Sequence, residues 1–204
     1  IGTFTDDRDV LLIGDEGGKI VHTRSYSASE NRRTARITIR LDEQGNAGMI
    51  MKRKFEGSFF NEKLHTYLSD FEDQKKLLYE ELNLPGISID SFNLVKGTSH
   101  VPWIEESMGV EVPHYGSRTG SRLVVQLNRL PALQTVPKKV ALRKADVIIK
   151  RSFSAIDTIE YILPENYEVE SLPVPRNQVS IFGRCEYSCM HTGNKVIYVR
   201  RYII

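Results

Sequence analysis

Two residues near the end of the chain, Cys189 and His191, could form a catalytic pair. A thiol next to an imidazole base is a common enzyme nucleophile. If their segment is a strand, the two side chains share a face about 6 to 7 Å apart, which exceeds hydrogen-bond reach between parallel side chains. No Asn or Asp is placed by sequence to orient the imidazole. A cysteine enzyme using Cys189 and His191 is therefore an alternative function, and ordinary packing is the first interpretation.

The chain has one other cysteine, Cys185. Four steps along a strand separate Cys185 from Cys189 by about 13 Å. A disulfide requires Cα atoms within about 7 Å, so we expect both thiols to stay free. A C-x-x-x-C spacing without a second ligand pair also supplies too few ligands for zinc.

Other motifs that could carry chemistry are incomplete. The remaining histidines lack the paired spacing of metal ligands, and the acidic clusters fit no calcium loop. Residues 116–121 (GSRTGS) resemble a phosphate-binding loop but lack the G-K-[ST] ending, and a strand follows where a helix is required. We therefore predict no metal site and no cofactor.

Three residues are candidates for a binding surface: Trp103, Tyr115 and Arg118. Trp103 follows a proline in a predicted loop, where its ring could anchor a ligand or cover the edge of the core. Together with residues 116–121, Trp103 and Tyr115 would form an exposed aromatic patch on a peptide- or glycan-binding module.

Composition excludes several classes of protein. Of 204 residues, 28 are Lys or Arg and 26 are Asp or Glu, so the net charge is +2. Such a balance gives no electrostatic basis for binding nucleic acid. The apolar run at residues 10–13 is far shorter than the roughly 20 residues of a membrane-spanning helix, so we predict no membrane span.

Period-two alternation predicts that most of the chain is strand. A hairpin is expected over residues 10–22, and residues 36–41 alternate strictly between apolar and polar. A phase slip at Ser91 predicts a bulge. A surface loop is predicted over residues 128–139 and a strand over residues 147–150. The final hairpin is predicted from residues 184–191 and 195–203.

One segment has helical spacing instead. Its apolar residues lie on one stripe, and Asn83, Pro85 and Gly86 are expected to end the helix. The stripe consists of Phe60, Leu64, Leu68, Phe71, Leu78 and Leu82. The predicted fold is mainly β, α+β by content: an antiparallel β-sandwich with one inserted helix near residues 60–82.

Two segments carry a resemblance to a known family. Residues 1–23 resemble the end of the papain-like transglutaminase core in large envelope proteins of Bacteroidetes. Residues 163–173 have the pattern L-P-x-x-Y-x-V-E-x-L-P, which is similar to the β-sandwich domain of unknown function that follows that core. The resemblance covers the whole chain, strongly at both ends and weakly in the middle.

The resemblance implies a domain organisation and a function. Residues 1–30 would be the terminal hairpin of a transglutaminase-like core with a linker, and residues 31–204 a β-sandwich accessory domain. In the family the Cys, His and Asp triad precedes the segment that matches Ile1, so no catalytic residue carries over to this chain. We expect a noncatalytic domain that packs on the upstream core of the same polypeptide. Its location would be periplasmic or cell-envelope associated.

The last residues of the sequence are apolar and lie within a predicted strand. A natural chain that continues past Ile204 is compatible with this ending.

Overall fold

A computed structural model describes residues 5–97, 99, 101–130, 142–144, 146–149 and 151–204. This part of the chain forms twelve strands and two helices. The strands are β1 (Asp9–Gly14), β2 (Gly17–His22), β3 (Arg32–Leu41), β4 (Ala47–Glu56), β5 (Ser88–Gly97), β6 (Trp103–Val112), β7 (Ser117–Thr119), β8 (Arg122–Val124), β9 (Ser154–Ile162), β10 (Arg176–Ser180), β11 (Gly183–Thr192) and β12 (Lys195–Ile203). The helices are α1 (Ser58–Leu68) and α2 (Phe71–Leu82).

Eight strands form the main sheet, in the order β10-β11-β12-β9-β3-β4-β6-β5. Strands β1 and β2 form one separate two-stranded sheet, and β7 and β8 form another. The prediction of a mostly β fold is confirmed. One pairing in the main sheet is not antiparallel, because β3 and β9 run parallel. This pair joins the N-terminal strands to the C-terminal strands.

The core lies on one face of the main sheet. Alternating residues of the central strands point to this face and are buried, as Ile39 in β3, Met49 in β4 and Ile159 in β9 show. Leu78 and Leu82 of α2 pack on the same core. The opposite face carries exposed polar residues such as those at positions 36, 52 and 105. This arrangement is the half-buried strand pattern that the alternation predicted.

The predicted single helix is wrong, because the structure contains two helices there. Asp70 begins α2 by accepting a hydrogen bond from the Asp73 backbone N–H at 2.9 Å. Ser69, between the helices, has extended dihedral angles. The predicted apolar stripe is therefore interrupted, and Leu68 and Phe71 are largely exposed. The predicted end of the helical segment is confirmed, since Asn83 ends α2 in the left-handed conformation with φ 47°.

Several local predictions are confirmed. Both hairpins form, as β1–β2 and β11–β12. The β5–β6 register shifts between Ile89 and Ser91, where the bulge was expected. The strand expected at residues 147–150 is wrong for residues 147–149, which have no regular secondary structure. Most of the loop predicted between residues 128 and 139 lies outside the described residues.

No helix in the described part of the chain is long and apolar enough to cross a membrane.

Candidate functional site

Cys189 and His191 lie on β11 and share one face of the sheet, as expected. Cys189 is half-buried against the core, whereas His191 is exposed. Burial raises the pKa of the Cys189 thiol. A catalytic cysteine needs the opposite shift, because the thiolate is the nucleophile. Cys185 and Cys189 are both free thiols, which confirms that they do not form a disulfide.

The three predicted binding residues do not come together. Trp103 begins β6, and Tyr115 follows the end of that strand, about 30 Å away at about 3.3 Å per residue. Tyr115 is only 3% exposed, and its hydroxyl lies 3.1 Å from that of Tyr161. Arg118 is exposed on β7 and donates to the Gly120 carbonyl. The predicted aromatic patch is therefore not formed.

Trp103 has a packing role in this structure. It is half-buried and pairs with Gly97 of β5, and a Cβ added at Gly97 would lie 2.1 Å from the indole ring. The Lys54 ammonium lies 5.2 Å from the centre of the ring. Trp103 is in phase with the exposed Glu105, so its ring packs on the face of the sheet opposite the core. The interpretation that it covers the edge of the core is therefore wrong.

A group of buried charges, which we call the ion cluster, lies on the covered face of the sheet. Its positive members are Arg33, Arg53, Lys63 and Arg200, and its negative members are Glu81, Glu106 and Asp157. Strand register places four of them in one row across the sheet. Arg200 of β12 lies opposite Asp157 of β9, and Arg53 of β4 lies opposite Glu106 of β6. Ala35 of β3 lies between Asp157 and Arg53 and pairs with both. The helices contribute Lys63 and Glu81 from above.

The ion cluster has two parts. In one, the Arg53 and Lys63 side chains contact both Glu81 and Glu106, with Arg53 Nε 2.6 Å from Glu106 Oε1 and Lys63 Nζ 2.6 Å from Glu81 Oε2. Burial alone would raise the pKa of Glu81, but the Arg53 and Lys63 charges outweigh burial and lower it. This part binds both helices to the sheet.

In the second part, Asp157 is shared by two guanidinium groups. Arg33 Nη2 lies 3.0 Å and Arg200 Nε 2.7 Å from Asp157 Oδ2. One carboxylate facing two guanidiniums leaves an excess positive charge. A small cavity of ≈ 40 Å³ lies between the two parts of the cluster and is bordered by Arg33, Arg53 and Arg200.

The sequence carries a signal for these buried charges, although motif spacing does not include it. Glu106 is in phase with Met108 and Val110, and Asp157 is in phase with Ile159 and Tyr161. A charged residue on the apolar phase of a strand must be buried with a partner or distort the strand. The pairing of Asp157 with Arg33 connects strands more than 100 residues apart, and the pattern of either strand does not indicate it.

A large cleft of ≈ 1080 Å³ is the candidate functional site. Its floor is the covered face of β9, β12 and β11, and its two walls are the segments 121–130 and 163–173. Tyr161 secures the first wall by donating to the Leu127 carbonyl at 2.8 Å. The second wall begins with the Leu163 N–H donating to the Asn194 carbonyl at 2.9 Å. At the rim, Arg122 and Glu170 join the walls with an ion pair of 3.0 Å.

The floor of the cleft is aromatic with one cation. Tyr187, Tyr198 and Tyr202 line it together with the thiol of Cys185. Arg200 borders the cleft on one side and the small cavity on the other. Apolar concave surfaces with few polar groups are typical of sites that bind organic ligands. Among the described residues no group of three potential metal ligands is formed.

Neither the comparison with curated proteins nor the comparison with solved structures finds a match for this chain. The comparison with family models finds one over the C-terminal part, which includes β8 to β12 and both walls of the cleft. Residues 121–204 match the family DUF3858, described as a domain of unknown function with a solved structure.

Proposed function

We propose that this chain is a noncatalytic accessory domain that packs on a catalytic domain of the same polypeptide. The family resemblance suggests a transglutaminase-like core as that partner and the periplasm or cell envelope as the location. The observation that supports packing on another domain is the hairpin β1–β2, which lies outside the main sheet.

The hairpin exposes apolar side chains that a free surface hairpin would not carry. Leu11, Ile13 and Ile20 lie on one face and are 58%, 77% and 65% exposed, and Leu12 on the other face is 60% exposed. A two-stranded hairpin is marginally stable by itself, and its open edges can pair with another sheet. A partner that covers both faces would bury these residues.

Binding between the chain and a separately expressed transglutaminase-like core that lacks its own terminal hairpin tests this proposal. Isothermal calorimetry would measure the affinity of the complete chain, of an Ile13→Asp variant and of a Leu68→Asp variant. Leu68 is 69% exposed at the end of α1 and serves as the matched control. We expect Ile13→Asp to weaken binding by about tenfold or more, because it places a charge in an apolar contact.

Leu68→Asp should bind as tightly as the unaltered chain. Absence of binding to the core would overturn the proposal. Equal loss in both variants, or loss in neither, would show that the hairpin is not the contact surface and would remove the observation on which the proposal rests.

A second function, a peptide- or glycan-binding module, is favoured by a different observation, the tyrosine-lined cleft. The residues predicted for that module, Trp103 and Arg118, are not part of the cleft, whereas Tyr187 and Tyr198 are. The third alternative, an enzyme using Cys189 and His191, has less support because burial raises the pKa of the thiol.

A further inference from the structure

We infer that the cleft binds an organic acid whose carboxylate pairs with Arg200 and whose apolar or aromatic body packs on the tyrosines of the floor. This inference rests on the second function above, namely that the cleft binds a ligand. It adds the chemical class of the ligand and the residue that selects it.

Arg200 is a buried cation with unused donors. Its side chain is 5% exposed, and its Nε donates to Asp157 at 2.7 Å. The two terminal nitrogens make no hydrogen bond to any other described residue. Because Arg200 lines the cleft, these donors can reach a ligand there. A guanidinium offers two parallel N–H groups that match the two oxygens of a carboxylate.

The charges around Arg200 favour an anion. Asp157 already receives two hydrogen bonds from Arg33, so it neutralises only part of the two guanidinium charges. The other charged residues of the cleft lie at its rim, where Arg122 pairs with Glu170 and Glu168 is exposed to solvent. The carboxylates of the rim are thus screened or paired, while Arg200 on the floor shares its one carboxylate partner, Asp157, with Arg33.

The rest of the cleft suits an apolar body. Tyr187 and Tyr198 have ring centres 6.5 Å apart, and Val169 and Leu172 face them from the second wall. Burial raises the pKa of Tyr198, so its phenol stays neutral and does not repel an anion. Aromatic floors bind apolar and aromatic groups by area burial and ring contact.

Two sources can supply this chemistry: a free aromatic or aliphatic acid, and the C-terminal carboxylate of an apolar peptide. Phenylacetate represents the first, and the acetylated dipeptide Leu-Phe with a free carboxylate represents the second. Each has a neutral partner of nearly the same shape, phenylacetamide and the dipeptide amide. The difference between acid and amide isolates the contribution of the charge.

Cys185 provides a reporter within the site, because its thiol lines the cleft and that of Cys189 does not. The experiment uses the single-thiol variant Cys189→Ala and measures the rate of maleimide labelling of Cys185 against ligand concentration. The variant Cys185→Ala, which retains only Cys189, is the matched control. Protection of Cys185 without protection of Cys189 locates the ligand in the cleft.

We expect an acid to protect Cys185 at a concentration about tenfold or more below that of its amide, as charge-assisted hydrogen bonds imply. Arg200→Gln should remove the difference between acid and amide. Arg201→Gln, an exposed neighbour on the other face that pairs with Glu186, should keep it. Which of the two acids protects decides between the sources.

The remaining outcomes overturn the inference in distinguishable ways. If acid and amide protect Cys185 equally, the cleft binds ligands and the role of Arg200 is rejected. If neither acid protects it, this inference is rejected, and protection by an amide alone keeps the binding function. The acid–amide comparison in the single-thiol chain does not depend on Arg200→Gln, so it holds even where thermal melting shows that this variant is unfolded.

Discussion

At the scale of single residues, the buried carboxylate of Glu106 is the most informative side chain. It is 2% exposed and contacts both Arg53 and Lys63. Desolvating such charges costs several kcal/mol, so the cluster is a weak source of net stability compared with an apolar core. Its members depend strongly on one another, however, because each charge that loses its partner remains buried.

Glu106→Gln should therefore destabilise the chain by about 3–5 kcal/mol, since Arg53 and Lys63 would face one carboxylate instead of two. Urea denaturation followed by circular dichroism measures this change. Glu105 is the matched control, because it lies next to Glu106 on the exposed face of β6. Glu105→Gln should change stability by about 0.5 kcal/mol or less. Equal effects of the two substitutions would contradict burial of Glu106.

At the scale of elements, the start of α1 depends on a backbone conformation at Gly57 that only glycine adopts readily. Gly57 precedes the helix with φ 64° and ψ −122°. The Asn31 side chain accepts a hydrogen bond from the Ser58 N–H at 2.9 Å and donates to the Ser152 carbonyl at 3.0 Å. Asn31 thus connects the helix to the segment that precedes β9.

Gly57→Ala should cost about 1–3 kcal/mol from backbone strain alone. It should also disturb Asn31, because the added Cβ would lie 2.4 Å from Asn31 Oδ1. Gly14→Ala is the control, since nothing lies within 4 Å of a Cβ there. The free energies of unfolding of both variants test this expectation. A loss in Gly57→Ala no larger than in Gly14→Ala would show that the turn tolerates a side chain.

At the scale of the whole molecule, contacts between remote segments hold the described part of the chain together. The parallel pair β3–β9 joins segments more than 100 residues apart, and Arg33 adds an ion pair to Asp157 across it. The ion pairs of Glu81 hold α2 on the sheet through Arg53 and on α1 through Lys63. Loss of the Glu81 charge should therefore loosen the helical layer.

The stability of the chain should fall in acid, in part through Glu81. Its pKa is lowered from an ordinary value of 4.5 by Arg53 and Lys63, against the effect of burial. A lowered pKa in the folded state contributes stability that is complete above the unfolded pKa and lost as pH falls through the folded pKa. Urea denaturation at a series of pH values below 4.5 should show the loss.

Glu81→Gln should be less stable at neutral pH and should lose less on acidification than the unaltered chain. The exposed neighbour Glu80 is the matched control, and Glu80→Gln should retain the full pH dependence. An unchanged slope in Glu81→Gln would show that other carboxylates account for acid unfolding.

Features that neighbouring residues encode could be predicted from the sequence. Alternation at residues 36–41 places Ile37 and Ile39 on one face in any strand pairing, and the hairpins follow from short turns between apolar strands. The phase slip at Ser91 likewise encodes the bulge locally. The sequence also correctly indicated that Cys185 and Cys189 remain free, because strand geometry alone separates them.

The pairing of strands, and the residues and cleft that this pairing brings together, could be seen only in the folded structure. The apolar stripe continued across Ser69 and Asp70, yet capping by Asp70 divided the helix. Tyr115, a candidate for the exposed patch of the alternative binding module, is buried because it packs near Tyr161 of a distant strand. The row from Arg200 to Glu106 and the cleft above it depend on register between remote segments. Periodicity encodes the face of each strand, whereas its partners are chosen by packing across the whole chain.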